Sequence, residues 1–526
     1  MNRLLLSRET GYPGPGPCAN ILARLHLYQL LRSFSPAAHI SFDGGESGTL
    51  VADGAEARPN VRSTTWAHQS GASCLALERF DGRVLISGGT DASIKIWDLE
   101  QKGNPHDGHV YTPAGVIRRA PKEGRNLSGG HKFGVTKLSF YPFDSQAFLS
   151  SSHDGCLKLW ATERAELGKS LELGGRIFTH AISPVAGHLL VACGTVLPAV
   201  RLVDLRAGAA VHALPAPGAG PMVSMAWSPR WDHVLLSGSG DGVVRVWDVR
   251  RAGGPLGVLD MDDGAGMNGD DSVLGSSVEG SGPLKKAHTG PVNGISWTDD
   301  GSLIITAGQD GKIRVWDADT GANTFAAFGP LVRNGGQLGS QASMFVTPTG
   351  VTPSGRDILY WGNDGEIIAF DLREGTVLSR LRGTGPSVSS VSAPASSSRG
   401  SSGAGPSERQ QRATAQTTTT PAASRSRRSV RNRLTGLVWR GAGGYGQSSG
   451  TVPGGRTAAG GMYSSHLDGQ IRMWMPEMPG NDEDEEGEEE MQGDAETRKR
   501  KRKVLDDAYR SLMGTSITFS GQTASG

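Results

Sequence analysis

The chain has 526 residues, a hydrophobic fraction of 37%, 76 glycines and a formal net charge of +1. That length exceeds one ordinary compact domain unless the architecture repeats or closes into a large barrel, and the near-neutral sum excludes a polycation built to coat nucleic acid or membrane. Four cysteines (Cys18, Cys74, Cys156 and Cys193) are widely separated and form no CxxC pair, which argues against a disulfide framework or structural zinc and for a reducing compartment.

The first segment, residues 1–36, differs from everything after it. Its apolar start, Leu4-Leu5-Leu6, ends at Ser7, Arg8 and Glu9, too early for a signal peptide, and no later apolar run approaches the ~20 residues that cross a bilayer. A soluble intracellular protein is expected. After the breaker stretch Tyr12–Pro17, residues Ala19–Phe34 predict an amphipathic helix. Leu27, Leu30, Leu31 and Phe34 share a face, with Ile21, Leu25 and Tyr28 alongside. Two roles stay open for it: packing on the outside of the following domain, or docking into a partner's groove.

From residue 37 to 476 one phrase recurs. It reads TDASIKIWD at Thr90–Asp98, HDGCLKLWA at His153–Ala161, GDGVVRVWD at Gly240–Asp248, QDGKIRVWD at Gln309–Asp317, NDGEIIAFD at Asn363–Asp371 and LDGQIRMWM at Leu467–Met475. An Asp followed by Gly or Ala favours a tight turn, and the period-two alternation that follows favours a half-buried strand. Upstream lies a His after a small residue (His68, His131 and His288), then a second apolar strand. A weaker unit at Phe178–Gly208 lacks the turn Asp and has Val203-Asp204 in place of Trp-Asp. These features resemble the WD40 repeat, with four strands per blade. They predict an all-β, seven-bladed propeller with an N-terminal helical segment. The family resemblance implies a structural network of His, turn Asp and Trp with a strand Ser or Thr. Its members would be His68, Asp91 and Trp97; His131, Asp154 and Trp160; Asp241 and Trp247; His288, Asp310 and Trp316; and Asp468 and Trp474. The fourth blade departs, with Gly218 where the His belongs.

Segments at about 260–283 and 383–424 are rich in Gly, Ser, Thr and Ala and read as disordered insertions, because they hold too little apolar area to offset ordering entropy. The tail, 477–526, carries an acidic cluster at Asp482–Glu490 and then Arg498, Lys499, Arg500, Lys501, Arg502 and Lys503. This basic run suits a nuclear import receptor, so a nuclear protein is expected; a solvated charge run is the plainer alternative. A second cluster, Arg425, Arg427, Arg428, Arg431 and Arg433, reads equally as an import signal, a nucleic-acid contact or a solubilising linker.

No catalytic signature emerges. The nearest approach to a phosphate loop, Leu167-Gly168-Lys169-Ser170, has Glu163 where the first Gly belongs. There is no HExxH, no Gly-x-Ser-x-Gly and no zinc spacing. A non-enzyme without metal or cofactor is expected.

Longer phrases resemble one branch of the WD40 proteins, the Cockayne syndrome WD-repeat (CSA) family. They are LLLSRETG at Leu4–Gly11, THAISP at Thr179–Pro184, LVACGT at Leu190–Thr195, and the long stretches Ala226–Gly254 and Ala287–Thr324. The resemblance is thin in blades six and seven and absent from the insertions and tail. It implies a substrate receptor of a cullin-4 RING ubiquitin ligase in transcription-coupled nucleotide excision repair. The implied partners are the ligase adaptor (the large subunit of the damaged-DNA-binding complex), a CSB-type translocase and RNA polymerase II; direct DNA contact stays open. The adaptor would be met by the segment Leu4–Phe34, including Leu4, Leu5, Leu6, Arg8 and Leu25. The Trp-Asp-x-Arg motif would support it through Asp248 and Arg250, with weaker copies at Asp204-Leu205-Arg206 and Asp371-Leu372-Arg373. The competing reading is a WD40 scaffold in ribosome assembly or chromatin complexes.

Overall fold

In this computed structural model, residues 15–45, 66–101, 109–121, 129–185, 187–251, 254–264, 285–383, 433–441 and 461–476 are described. Each recurring phrase forms the same object: a strand, a turn carrying the Asp, and a returning strand that ends in the aromatic. In blade one, Val84–Gly89 turns through Asp91 into Ile94–Asp98, with Leu85 opposite Trp97. A first strand, Ala72–Leu77, pairs on one side and a fourth, Pro113–Ile117, on the other. The turn needs a left-handed residue after the Asp. Gly155, Gly242, Gly311, Gly365 and Gly469 supply it at positive φ, while Ala92 adopts φ 71° without that freedom.

Seven such antiparallel sheets follow one another along the chain. Blade two runs Val135–Phe140 to Glu166–Glu172, blade three Ile177–Ile182 to Ala209–Pro215, and blade four Met222–Trp227 to Gly257–Val258. Blade six runs Met344–Val346 to Val377–Leu381. Blade five has three regular strands, Val292–Trp297, Leu303–Gly308 and Ile313–Asp317. Its outer edge is met by Thr324, whose backbone N–H donates to Val315 O at 2.9 Å.

The buried apolar side chains fall into seven clusters, each joining consecutive blades. Ile86 and Ile94 of blade one meet Val135 and Trp160 of blade two. Leu85 and Trp97 of blade one meet Tyr463 and Met473 of blade seven, which closes the circle. Trp97, Trp160, Trp247, Trp316 and Trp474 are fully buried, and each removes the face of its blade from water.

Closure has a second element. Phe34–Pro36 is the outermost strand of blade seven, with Phe34 opposite Pro476 and Pro36 opposite Trp474. The sheet beginning at Leu434–Arg440 is thus completed by residues from far earlier in the sequence, which cover the edge of Ile471–Pro476. This corrects the sequence-based boundary at residue 37 and the helical assignment of Phe34. The helix itself, α1, spans Pro15–Arg32 and begins inside the Pro-rich stretch expected to break it. First-turn residues need no intrahelical acceptor for their N–H, so Pro15 and Pro17 are tolerated there.

Candidate functional site

In an up-and-down blade, the turns between second and third strands lie at one end of the ring. Those between first and second and between third and fourth lie at the other. The first end is occupied by side-chain networks. In blade two, Trp160 Nε1–H donates to Ser150 Oγ at 2.7 Å, Ser150 Oγ lies 2.6 Å from His131 Nε2, and His131 Nδ1 lies 2.9 Å from Asp154 Oδ2. One assignment of protons satisfies all of these: Trp to Ser, Ser to a neutral His, His to a carboxylate. Burial lowers His131 despite Asp154. Burial also pushes the Asp154 carboxyl up, but the His131 contact and the N–H groups of Lys132 and Cys156 outweigh it and hold Asp154 at about 2. Blade five repeats the chain through Trp316, Thr306, His288 and Asp310 at 2.9, 2.8 and 3.1 Å.

The other blades solve the same problem differently. In blade one His68 and Asp91 are 3.8 Å apart, and Ser93 bridges them at 2.9 and 2.6 Å. Blade four has no incoming His; Arg245 donates to Ser239 at 2.7 Å and to Asp241 at 3.2 Å, while Trp247 keeps its Ser237 at 2.8 Å. In blade seven Trp474 and His466 share Ser464 at 2.8 and 2.9 Å, and Arg472 holds Asp468 at 3.1 Å. Sequence reasoning missed Arg245, His466 and Arg472. The available signal was a basic residue four places after the turn Asp, which also places Arg314 against Asp310 at 3.2 Å.

The opposite end carries the Asp248–Arg250 pair and the helix. Asp248 closes the turn after Trp247 by accepting the backbone N–H of Arg250 at 3.0 Å. The guanidinium returns to the same carboxylate through Nε at 3.0 Å and Nη2 at 2.8 Å. Asp248 is buried while Arg250 is 65% exposed, so the cation presents its outer face to solvent. The Arg250 hydrogen bonds hold the Asp248 carboxyl at about 2 against the opposing effect of burial. Arg206 and Arg373 place only their backbone N–H groups on Asp204 and Asp371 in this way.

Helix α1 is divided along its length. Its last turns pack between blades six and seven, where Tyr28 and Leu31 meet Tyr360, Leu434 and Trp474. The Tyr360 hydroxyl donates to Leu31 O at 2.6 Å. Leu27 and Val351, the latter from the turn between the first two strands of blade six, join this cluster. Arg32 reaches Leu378 O, just past the turn between that blade's third and fourth strands. The contacts place α1 at the Arg250 end. Toward its start, Ile21 and Leu22 are 37% and 40% exposed and Leu25 is half-buried. Leu4, Leu5, Leu6 and Arg8, the basic run 498–503 and most of both insertions lie outside the described residues. Among the described residues no group of three or more His, Cys, Asp or Glu could hold a metal ion, and no helix is long and apolar enough to cross a membrane.

The family model described as "WD domain, G-beta repeat" matches residues 60–98, 124–161, 210–248 and 282–317. These are blades one, two, four and five, which hold the Trp-containing phrase in its fullest form. The chain is 30% identical to "WD repeat-containing protein ATCSA-1" of Arabidopsis thaliana over 50% of its own length and 69% of the relative's. It is 30% identical to "Radiation-sensitive protein 28" of Saccharomyces cerevisiae over 35% of this chain and 38% of that one. It is 29% identical to "Ribosome biogenesis protein YTM1" of Phaeosphaeria nodorum over 48% of this chain and 55% of that one. The last two matches span well under two thirds of the relatives' own lengths.

Proposed function

Because the chain belongs to the WD-repeat family, whose propellers are in general non-catalytic scaffolds that bind partners, we propose that it is the substrate receptor of a cullin-4 RING ubiquitin ligase. In this reading it serves transcription-coupled nucleotide excision repair in the nucleus. The observation that carries the reading is the end of the ring shared by the exposed turns of α1 and Arg250. Ile21, Leu22 and Leu25 offer an apolar ridge on a helix anchored from behind, which suits insertion into a groove of the ligase adaptor, the large subunit of the damaged-DNA-binding complex. Arg250 is held by Asp248 with little freedom left to lose on binding. Leu4, Leu5, Leu6 and Arg8, outside the described residues, would add to the adaptor contact, and the basic run 498–503 would direct nuclear import.

The end carrying the His and Asp networks faces away from the adaptor in this arrangement. It is left for a CSB-type translocase and stalled RNA polymerase II. The protein then supplies position and effective concentration, and the ubiquitin transfer itself occurs elsewhere in the ligase. The names of the Arabidopsis and yeast relatives agree with a role in the response to damage.

A second reading, a scaffold in ribosome assembly, is favoured by the Phaeosphaeria relative. Affinity purification from ultraviolet-irradiated cells, followed by mass spectrometry, separates the two. The repair reading expects cullin-4 and its adaptor, with recovery reduced by Ile21→Asp/Leu22→Asp. Recovery of ribosome-assembly proteins without cullin would favour the scaffold.

A further inference from the structure

The innermost strands of the ring surround a channel, and within it lies a cavity of about 220 Å³. That is several times the volume of one water molecule. In most blades the first strand carries a bulge, and the residue after it points to a common level. Cys74, Lys137, Ser224, Gly294 and Gly436 hold this register position opposite Gly88, Ser151, Gly238, Ala307 and Ser465. All five line the cavity. Four are small and one is a long cation.

Lys137 has no acidic neighbour there: among the described residues lining the cavity none is Asp or Glu. Its ammonium has three donors, and among the described residues its one side-chain hydrogen-bond partner is Thr179 Oγ1 at 3.5 Å. Cys74 beside it is no counter-ion, since burial pushes that thiol up to about 12. His180 is no acceptor for it either, because its ring nitrogens are engaged by Ser139 and Ser151 at 2.7 and 2.8 Å. Burial lowers Lys137 to about 8, which leaves it cationic at neutral pH. A second group points the same way. Ser343 is 5% exposed, lines the cavity, and its Oγ has no hydrogen-bond partner. A buried hydroxyl and a cation without a carboxylate are each costly unless something accepts from them.

The connector between blades five and six covers one mouth of this channel. Gly335 O accepts from Arg433 of blade seven at 2.5 Å, and Gln341 Nε2 donates to Val223 O of blade four at 2.7 Å. Gly339 lies against the ring of Phe178 in blade three. Asn334 and Asn293 exchange amide hydrogen bonds at 2.6 and 2.9 Å and fix the start of the span. The cavity is therefore approached from the Arg250 end.

We propose that the channel binds a small oxyanion of the phosphate class, held by the Lys137 ammonium and by Ser343 Oγ–H as a neutral donor. No residue lining this site belongs to the proposed adaptor contact, although both lie toward the Arg250 end. Its ligand is either free phosphate or a phosphoryl group carried on a peptide, and the two share the same recognition chemistry.

The test uses the full chain at constant ionic strength, with inorganic phosphate and a phosphoserine peptide titrated separately. Melting temperature and phosphorus NMR linewidth are the readouts. A saturable rise in melting temperature is expected with at least one ligand. Lys137→Met should melt higher than the parent without ligand and bind at least tenfold more weakly; Lys137→Arg should retain binding. Ser343→Ala should weaken it while leaving the ligand-free melting temperature unchanged or raised. Response to the peptide alone would assign the phosphoryl group to a partner and support the site. Equal responses in the parent and Lys137→Met, or no saturable response to either ligand, would overturn it.

Discussion

Arg250 returns both Nε and Nη2 to the carboxylate of Asp248, at 3.0 and 2.8 Å, while remaining 65% exposed. The pair is a fixed surface feature with its cation outward. Asp248 is buried but Arg250 faces solvent, which limits the pair's contribution to folding, so Arg250→Ala should lower the melting temperature only slightly. In the proposed assembly it should weaken adaptor binding about tenfold, mainly through faster dissociation. Surface plasmon resonance with the purified adaptor, beside a thermal melt, reads both; a large loss of stability with unaltered binding would contradict this role.

The networks at the other end predict unequal costs for formally equivalent residues. Asp154 has a side chain 4% exposed and bonds His131 directly, whereas Asp91 is 21% exposed and reaches His68 through Ser93. Asp154→Ala leaves the His131 N–H and two backbone N–H groups without their acceptor and should cost about 3 kcal/mol. Asp91→Ala should cost about 1 kcal/mol, because Ser93 still receives the His68 proton. Urea denaturation measures both, and equal losses would show that the Ser93 bridge is energetically irrelevant.

Acid should loosen the ring before ordinary carboxylates titrate. Burial lowers His131, His180, His288 and His466; the charge of Lys137 adds to it at His180 and that of Arg472 at His466. An unfolded His takes up its proton near pH 6.5, earlier than these folded ones. Their contribution to stability is complete above that pH and is lost as pH falls below it. Asp154 and Asp310, also held down in the folded state, add a further loss below about pH 4. The melting temperature should fall between pH 7.5 and 5.5 and faster again below pH 4. A flat profile down to pH 5 would mean that these imidazoles are already charged when folded.

Closure by the N-terminal strand separates docking from folding. Phe34 is buried against the blade-seven core, so Phe34→Ala should cost about 3 kcal/mol. Deleting residues 1–20 leaves Phe34–Pro36 in place and should leave the melting temperature unchanged, whereas deletion through Pro36 should lower it strongly. Thermal melts of the three variants decide the matter. Equal stability of the two deletions would show that blade seven closes without this strand.

The ring was legible because its signal is repeated: an Asp-Gly turn, an alternating strand and an aromatic at fixed spacing recur in nearly every blade. What escaped the sequence was set by contacts remote along the chain. Phe34 continues the apolar spacing of the helix before it, and nothing local shows that Pro476 lies opposite it. His466 sits in the second strand and supplies from inside its own blade what His131 supplies from a preceding loop. Arg245 resembles any exposed strand residue until the missing His of blade four is noticed. Of the residues proposed to meet the adaptor, Asp248 and Arg250 were readable as a short motif, while the exposure of Ile21 and Leu22 depends on how α1 rests on blades six and seven.

The exposed start of α1, presented at the Arg250 end of the ring, is proposed to dock this propeller onto the cullin-4 adaptor. Isothermal titration of the purified chain with that adaptor, parent against Ile21→Asp/Leu22→Asp, tests it most directly. Burying two aliphatic side chains is worth several kcal/mol, so the account predicts binding weakened by about 100-fold or more with an unchanged melting temperature. Undiminished affinity in a folded double variant, or no binding by the parent, would contradict it.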